Sequence, residues 1–490
     1  MNKNKKIIII TIISLIVLTG IYLLYNTYAL TTKITNNGNY YTINLTDSNI
    51  VSLAANEEKT VICQINNTNN GTVSYGVAYN NSNIEVKVYS DSKDKVTGTI
   101  GANDNKYVKL HLKNKTSSNT TVEITAVMGY ENGGDLIVPS DSTLVTGTYT
   151  APISLAKYIT NLYTNASKST VTNNSITYNY ATSESLMNDR LGGTTSSLDG
   201  GNIRYYGASP KNYVYFNCET YPSTNCELWR IIGVFDGKIK LMRNESIGNY
   251  SWDTSASSVN SGYGVNEWFQ ADLMKLLNPG HESESVGGSL YYNSKSKTCY
   301  NRNNNATTSC NFTSTGIKND TTRNMIAETT WNLGGWDTSN IYSNVMYEKE
   351  RGTTVISNPS DGITRTTTWT GKIALAYPSD YGFATDLSKC SQTLSNYDSS
   401  TDSYACRNND WMYSIITNSG SGYGWLLTPS SSDAYVAFNV NSDGYVGSHN
   451  DVINYVYIEY GVAPVLYLGS DQDIVAGDGS QSNPYKLTGN

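Results

Sequence analysis

The chain has 490 residues, seven cysteines and a formal net charge of −7, with 38% hydrophobic and only 15% charged residues. That length suggests two or three domains. Sparse charge, a negative balance and no Lys/Arg cluster beyond the N-terminus exclude nucleic acid as an expected partner.

Lys3, Lys5 and Lys6 precede an apolar run over residues 7–24, broken only by Thr11, Ser14, Thr19 and Gly20. As a helix this run spans roughly 27 Å, close to the hydrocarbon thickness of a bilayer. The expectation is a cytoplasmic tail at 1–6 and a transmembrane signal anchor at 7–25, with Tyr22, Tyr25 and Tyr28 at the interface. The bulk then lies outside a single-pass cell-membrane anchor. A cleaved signal peptide is the competing reading, since Thr27-Tyr28-Ala29 offers a small-residue cleavage site. Both readings export the chain.

Residues 31–150 contain neither Trp nor Phe. Alternating runs at 40–45, 84–89, 107–112 and 121–127 are separated by turn clusters such as Asn69-Asn70-Gly71 and Glu131-Asn132-Gly133-Gly134. Period-two runs between turn signals predict an all-β, Ig-like sandwich, here expected as a stalk. Residues 151–195 are expected as a connector, with a short amphipathic helix carrying Leu155, Tyr158, Ile159 and Leu162.

From 196 to 490 the pattern is that of a Trp-rich α+β domain. Asp236-Gly237 predicts a hairpin between 229–235 and 238–242. Asn266 is expected to cap a helix whose stripe is Phe269, Leu273, Leu276 and Leu277, stopped by Pro279-Gly280. A second helix is expected from Asp320 through Met325 and Ile326 to Trp331. A second hairpin is expected at 434–446, turning at Asn441-Ser442-Asp443-Gly444, and 462–468 reads as a last strand.

Cysteine spacing supports export. Cys218 and Cys226, Cys299 and Cys310, and Cys390 and Cys406 form three close couples, and near-neighbour disulfides are the simplest of fifteen pairings. Zinc is the rival reading, but no couple has the tight spacing of a metal knuckle. Cys63 is left over. Its place in Val61-Ile62-Cys63-Gln64-Ile65 puts it on the apolar face of a strand, as a buried and inert thiol.

Residues from about 155 to 490 resemble a large family of surface proteins from Firmicutes and related AT-rich bacteria. The stretches that carry the resemblance are CELWRIIGVF at 226–235, WTGKIALAYPSDYGFAT at 369–385, WLLTP at 425–429 and GVAPVLYL at 461–468. GDGS at 477–480 and NPYKL at 483–487 also fit. The domain of that family is grouped with C-type-lectin-like and formylglycine-generating-enzyme-like folds, and it has no settled activity. The resemblance implies short sheets, two helices and long ligand-facing loops. The activity of formylglycine-generating enzymes works through active-site cysteines and is not carried over, because the six cysteines here read as bridges.

No catalytic set is visible. His111, His281 and His449 are scattered, and no metalloprotease motif, nucleophile elbow or phosphate loop occurs. The chain is therefore expected not to be an enzyme. Trp336 and Asp337, in a Gly-rich loop, combine a stacking face with a hydroxyl-fixing carboxylate, as glycan binding requires. The alternative is that Trp331 packs in the core and Trp336 anchors the loop. Asn441 and Asp443 are the second candidate pair. Their loop, 439–444, resembles the start of a calcium site, but Asn450 stands where the twelfth-position acid belongs. A plain hairpin turn explains the same residues, so no cofactor is expected, with calcium the alternative. The reading is a surface-displayed, adhesin-like protein that recognises an extracellular glycan or protein. A structural or assembly component of the envelope and an enzyme on envelope polymers are its alternatives.

Overall fold

The computed structural model describes residues 27–37, 40–45, 50–67, 70–131, 135–192, 200–255, 262–337, 341–357, 359, 361–397, 403–447 and 455–489, with backbone alone for 27–45, 130–131 and 403. The anchor expected at 7–25 lies outside the described residues. Among the described residues no helix is long and apolar enough to cross a membrane. The chain divides into two compact units, Met1–Ala151 and Pro152–Asn490.

The first unit is all-β, as a β-sandwich requires. One hydrogen-bonded path runs through Thr143–Leu144, Val73–Tyr79, Thr120–Glu131, Tyr40–Leu45, Thr27–Asn37, Glu58–Asn66, Asn105–Asn114, Ile84–Tyr89 and Thr148–Tyr149. Ile50–Leu53 and Gly98–Ile100 branch from it. The period-two alternation read from the sequence sets the faces. Val61, Cys63 and Ile65 turn inward on one strand, and Val108, Leu110 and Leu112 on its partner, with Val61 opposite Leu110 and Cys63 opposite Val108. They meet Val73, Tyr75, Val77, Val122 and Ile124 in one core. Each such side chain contributes roughly 1.5–3 kcal/mol on burial. Cys63 is free and buried, and burial pushes its thiol up to about 12. The first strand begins at Thr27, so Thr27-Tyr28-Ala29 is paired in parallel with Thr60-Val61-Ile62.

The second unit centres on a sheet ordered Ser169–Asn173, Ile176–Ala181, Leu186–Asn188, Ile203–Tyr205, Glu227–Phe235, Lys238–Arg243, Val465–Tyr467 and Ile373–Ala374, with Tyr213–Phe216 also on Glu227–Phe235. The Asp236-Gly237 hairpin forms as predicted, with Phe235 opposite Lys238. A register shift lies between Ile231 and Gly233, where a Cβ on Gly233 would stand 2.1 Å from the Ile203 carbonyl oxygen. Only glycine permits that approach.

Three expected details change. The segment read as a connector belongs to this unit: Leu155, Ala156, Ile159 and Tyr163 of the Leu155–Asn165 helix pack in its core, and the next three strands extend its sheet. A helix with an apolar stripe needs a surface to cover, and this sheet supplies it. Glu267, not Asn266, caps the turn Trp268–Gln270, and the following helix is short, Asp272–Leu277, leaving Phe269 53% exposed. The second helix stops at Met325; Trp331 lies in the strand Thr329–Asn332, opposite Trp369.

The core is aromatic. Trp229, Trp252, Trp268 and Trp331 are all fully buried. It also encloses charge. The Asp380 carboxylate takes Arg204 Nη1 at 2.9 Å on one oxygen, and Lys240 Nζ and the Tyr377 N–H on the other. Arg204 Nε reaches Asp189 at 2.6 Å, and every side chain of this hub is at most 1% exposed. Burial alone would raise Asp380, but Lys240 and Arg204 outweigh it and hold the carboxyl below its ordinary value. Burial also pushes the Lys240 amine down to about 8, against the pull of Asp380. Much of the 226–235 and 369–385 stretches that carry the resemblance is thus core architecture.

Candidate functional site

The three cysteine couples are joined as their spacing predicts: Cys218–Cys226, Cys299–Cys310 and Cys390–Cys406. The second bridge ties together a hairpin of Ser296–Tyr300 and Thr307–Asn311. Its tip, residues 301–306, enters a surface built from distant parts of the chain.

Trp336 is half-buried against the aromatic core, with Lys349 Nζ 3.6 Å from its ring centroid. Its carbonyl accepts from the Ser431 N–H at 3.0 Å, so the loop is laid along 429–431. A Cβ on Gly334 would stand 2.2 Å from the Lys349 carbonyl oxygen, which explains the glycine two residues before this tryptophan. Asp337 is likewise half-buried.

Asn441 and Asp443 sit on a different element. The hairpin forms, pairing Ala437–Val440 with Val446–Gly447. Asn441 Oδ1 accepts from the N–H groups of Asp443 and Tyr445, at 3.0 and 2.9 Å, which is how an Asx side chain closes a turn. Asp443 makes an exposed ion pair with Arg407 at 3.2 Å. Gly444 has φ +84°, as the turn requires. His449, Asn450 and Asp451 lie outside the described residues. Among the described residues no group of three or more His, Cys, Asp or Glu side chains is placed to hold a metal.

The sequence reading missed a tyrosine platform. Tyr263, Tyr435, Tyr455 and Tyr457 come from three separate segments and are all half-buried. Tyr263 lies 4.6 Å from Tyr455, 5.6 Å from Tyr435 and 5.6 Å from Tyr457 between ring centroids, its plane within 22° of the last. Tyr435 meets Tyr455 edge-on at 5.1 Å. Val456 is fully buried between Tyr455 and Tyr457, and its carbonyl accepts from the Trp252 N–H at 2.8 Å. A turn closed by the Ile458 N–H on the Tyr455 carbonyl, at 2.9 Å, carries both tyrosines, which stay partly exposed on either side of buried Val456. The alternation Tyr455-Val456-Tyr457 is the one signal the sequence offered.

Buried polar groups fix the platform. Asn266 Nδ2 donates to the carbonyls of Ser430, Asp433 and Val436 at 3.0, 2.8 and 2.9 Å, and so locks the loop that carries Tyr435. Arg365 donates to Asn266 Oδ1 at 3.0 Å and to the Ala434 carbonyl at 2.7 Å, while Asp361 takes two of its N–H groups at 2.7 Å. Beside the platform is a cleft of about 380 Å³ lined by Arg302, Asn303, Tyr457, Ile458 and Glu459. Glu459 Oε1 accepts from Asn301 Nδ2 at 2.8 Å and Arg302 Nε at 2.9 Å, so the disulfide-tied tip forms one wall.

A second cleft, of about 390 Å³, includes Asp253, Glu267, Asp272, Lys275, Tyr300 and Asn305 in its lining. Burial and the neighbouring Asp272 push Asp253 up to about 7, and burial raises Asp272. Each carboxylate also serves the backbone. Asp253 accepts from Val265 N–H at 2.7 Å, Asp272 from Thr254 N–H at 2.9 Å, and Glu267 from Thr366 N–H at 2.7 Å. Comparison with family models, with curated proteins and with solved structures returns no match.

Proposed function

We propose that the chain is an exported, membrane-anchored binding protein that presents an extracellular ligand site on the second unit. The observation that supports this most is the tyrosine platform: four half-buried aromatic rings at the surface, one on a loop held by a buried Asn266–Arg365–Asp361 chain, next to a polar cleft. Rings kept at the surface and locked in place are what a pre-organised recognition site needs. The three disulfides suit an oxidising compartment. The apolar run at 7–24 after three lysines supports the anchor. The finer fold reading, an Ig-like sandwich followed by a C-type-lectin-like domain, rests on the resemblance of the stretches quoted above. The contact surface is read as the platform, with Trp336 and Asp337 on the neighbouring loop; Asn441 and Asp443 are read as turn-formers.

The test has two arms. Protease added to intact cells should digest the second unit, and its protection would sink the topology. The immobilised full-length chain should retain a ligand from a panel of glycans and envelope or host proteins, and Tyr455→Ala combined with Tyr457→Ala should release it.

One observation favours a second reading, an enzyme on envelope polymers. Asp253 and Asp272 are paired carboxyls with raised proton affinity in a cleft, as acid–base catalysis uses. Release of new reducing ends from peptidoglycan or a polysaccharide, lost in Asp253→Asn, would establish it.

A further inference from the structure

We infer that the occupant of the tyrosine platform is a carbohydrate chain of uncharged sugars, bound without a metal ion. The inference rests on reading this face as the binding surface and adds the ligand's chemistry.

Three features on that surface select for sugars. The first is the kind of aromatic presented. All four rings are tyrosines, so the cluster combines partly exposed ring surface for C–H groups with hydroxyls for the rim. A hydrophobic peptide would instead need an aliphatic pocket, and Ile458 is the one aliphatic side chain lining the adjoining cleft. The second is the cleft's polar set. Arg302 and Asn303 supply N–H donors, Glu459 supplies carboxylate acceptors, and Tyr457 belongs to both cleft and platform. A sugar hydroxyl is donor and acceptor at once, so a neighbouring arginine and carboxylate can hold adjacent hydroxyls. Because Arg302 and Glu459 already neutralise one another at 2.9 Å, the cleft favours a ligand without net charge. The third is rigidity. Tyr263 sits between Gly262 and Gly264, at φ +89° and +82°. A Cβ on Gly264 would stand 2.4 Å from the Asp253 carbonyl oxygen. Weakly binding, flat sugar faces gain affinity when the rings are ordered in advance.

Calcium is not needed by this geometry. Of the residues lining the cleft only Glu459 carries a carboxylate, and one of its oxygens is already shared by Asn301 and Arg302.

The experiment is calorimetric titration of the full-length chain in detergent with chito-oligosaccharides, cello-oligosaccharides and, as an acidic comparison, oligogalacturonate. A neutral series should bind better than the acidic one, and EDTA should leave binding unchanged. Tyr455→Ala with Tyr457→Ala should lower affinity about ten-fold or more, since each lost ring removes stacking and buried area. Tyr455→Phe with Tyr457→Phe keeps the rings and should retain most of the affinity, which separates ring loss from misfolding. Failure of every saccharide to bind, or equal binding by the alanine variant, overturns the inference. If saccharides fail while a protein ligand is held and then lost on the alanine variant, the carbohydrate falls and the binding face stands. A ligand held equally by wild type and alanine variant overturns both.

Discussion

The two units solve the same problem, enclosing a core, with opposite materials. The first uses Val, Ile and Leu on alternating strands, and among the described residues its buried polar side chains are Asn67, His111 and Asn114. The second uses tryptophan and tyrosine and buries Arg204, Lys240, Glu350, Asp380 and Asp410. Regular strands satisfy most of their own backbone, so the first core needs few polar side chains: Asn67 donates to the Gly71, Ile100 and Gly101 carbonyls, and Asn114 to those of Ala54 and Ser118. The second unit has long irregular segments whose amides need partners inside. Asp380 serves the Tyr377 N–H, Glu350 the Ser379 N–H at 2.8 Å, and Asp410 the Met412 N–H at 2.8 Å. Buried carboxyls are therefore how this unit holds its loops.

All eight tryptophans lie in the second unit and the free thiol in the first, so one chain carries two independent reporters. The sharpest break of the comparison is Asp380→Ala. It leaves Arg204 and Lys240 buried without their shared partner, which costs about 3–5 kcal/mol. Urea unfolding followed by tryptophan fluorescence should shift strongly, while exposure of Cys63 to a thiol reagent should not. Equal shifts in both signals would show that the units do not unfold separately.

Acidity should move the two units in opposite directions. Burial pushes Glu350 and Asp410 up to about 7, and burial with Asp272 does the same to Asp253. Folded, these groups hold protons that the unfolded chain has released above its ordinary carboxyl range, so the second unit loses stability as pH rises from about 5 to 7. Burial lowers His111, whose ring stacks on Tyr149 at 3.5 Å. Unfolding lets it take up a proton below about 6.5, so the first unit loses stability as pH falls through that range. Urea midpoints from tryptophan emission and from a pyridyl-disulfide reaction at Cys63 check the two signs; parallel slopes would refute the contrast.

A smaller effect is expected from Cys299→Ser with Cys310→Ser. Opening that loop should cost roughly 2–3 kcal/mol by chain entropy and lower the tryptophan transition alone. The smallest is Asp443→Ala. It removes one exposed ion pair with Arg407, worth under about 1 kcal/mol. Calcium should leave the midpoint of either chain unchanged, whereas binding at this turn would raise that of the wild type.

The contrast also explains what could be read in advance. The runs at 84–89 and 107–112 became strands because period two is a local property, visible within six residues. The three disulfides and the buried Cys63 followed from spacing and alternation in the same way. The tyrosine platform was not legible, because Tyr263 and Tyr455 are brought together only by the fold. Nor was the role of Asn266: an asparagine before an apolar run suggests a cap, yet here it collects three carbonyls from a loop over 160 residues away. The helix expected through Trp331 failed because the pairing of Trp331 with Trp369 outweighs local helical preference.

One small sheet has a consequence for ancestry and engineering. Ile153, at the start of the second unit, pairs with Ile474, which pairs in turn with Leu487. Entry and exit therefore lie in one three-stranded sheet, on either side of Asp473–Ala476. A body with adjacent ends can be spliced into a loop of an unrelated host, or re-cut with new ends elsewhere, without disturbing its interior. The second unit is in that sense a portable cassette. Whatever precedes or follows it could be exchanged by recombination while its tyrosine cluster stayed intact.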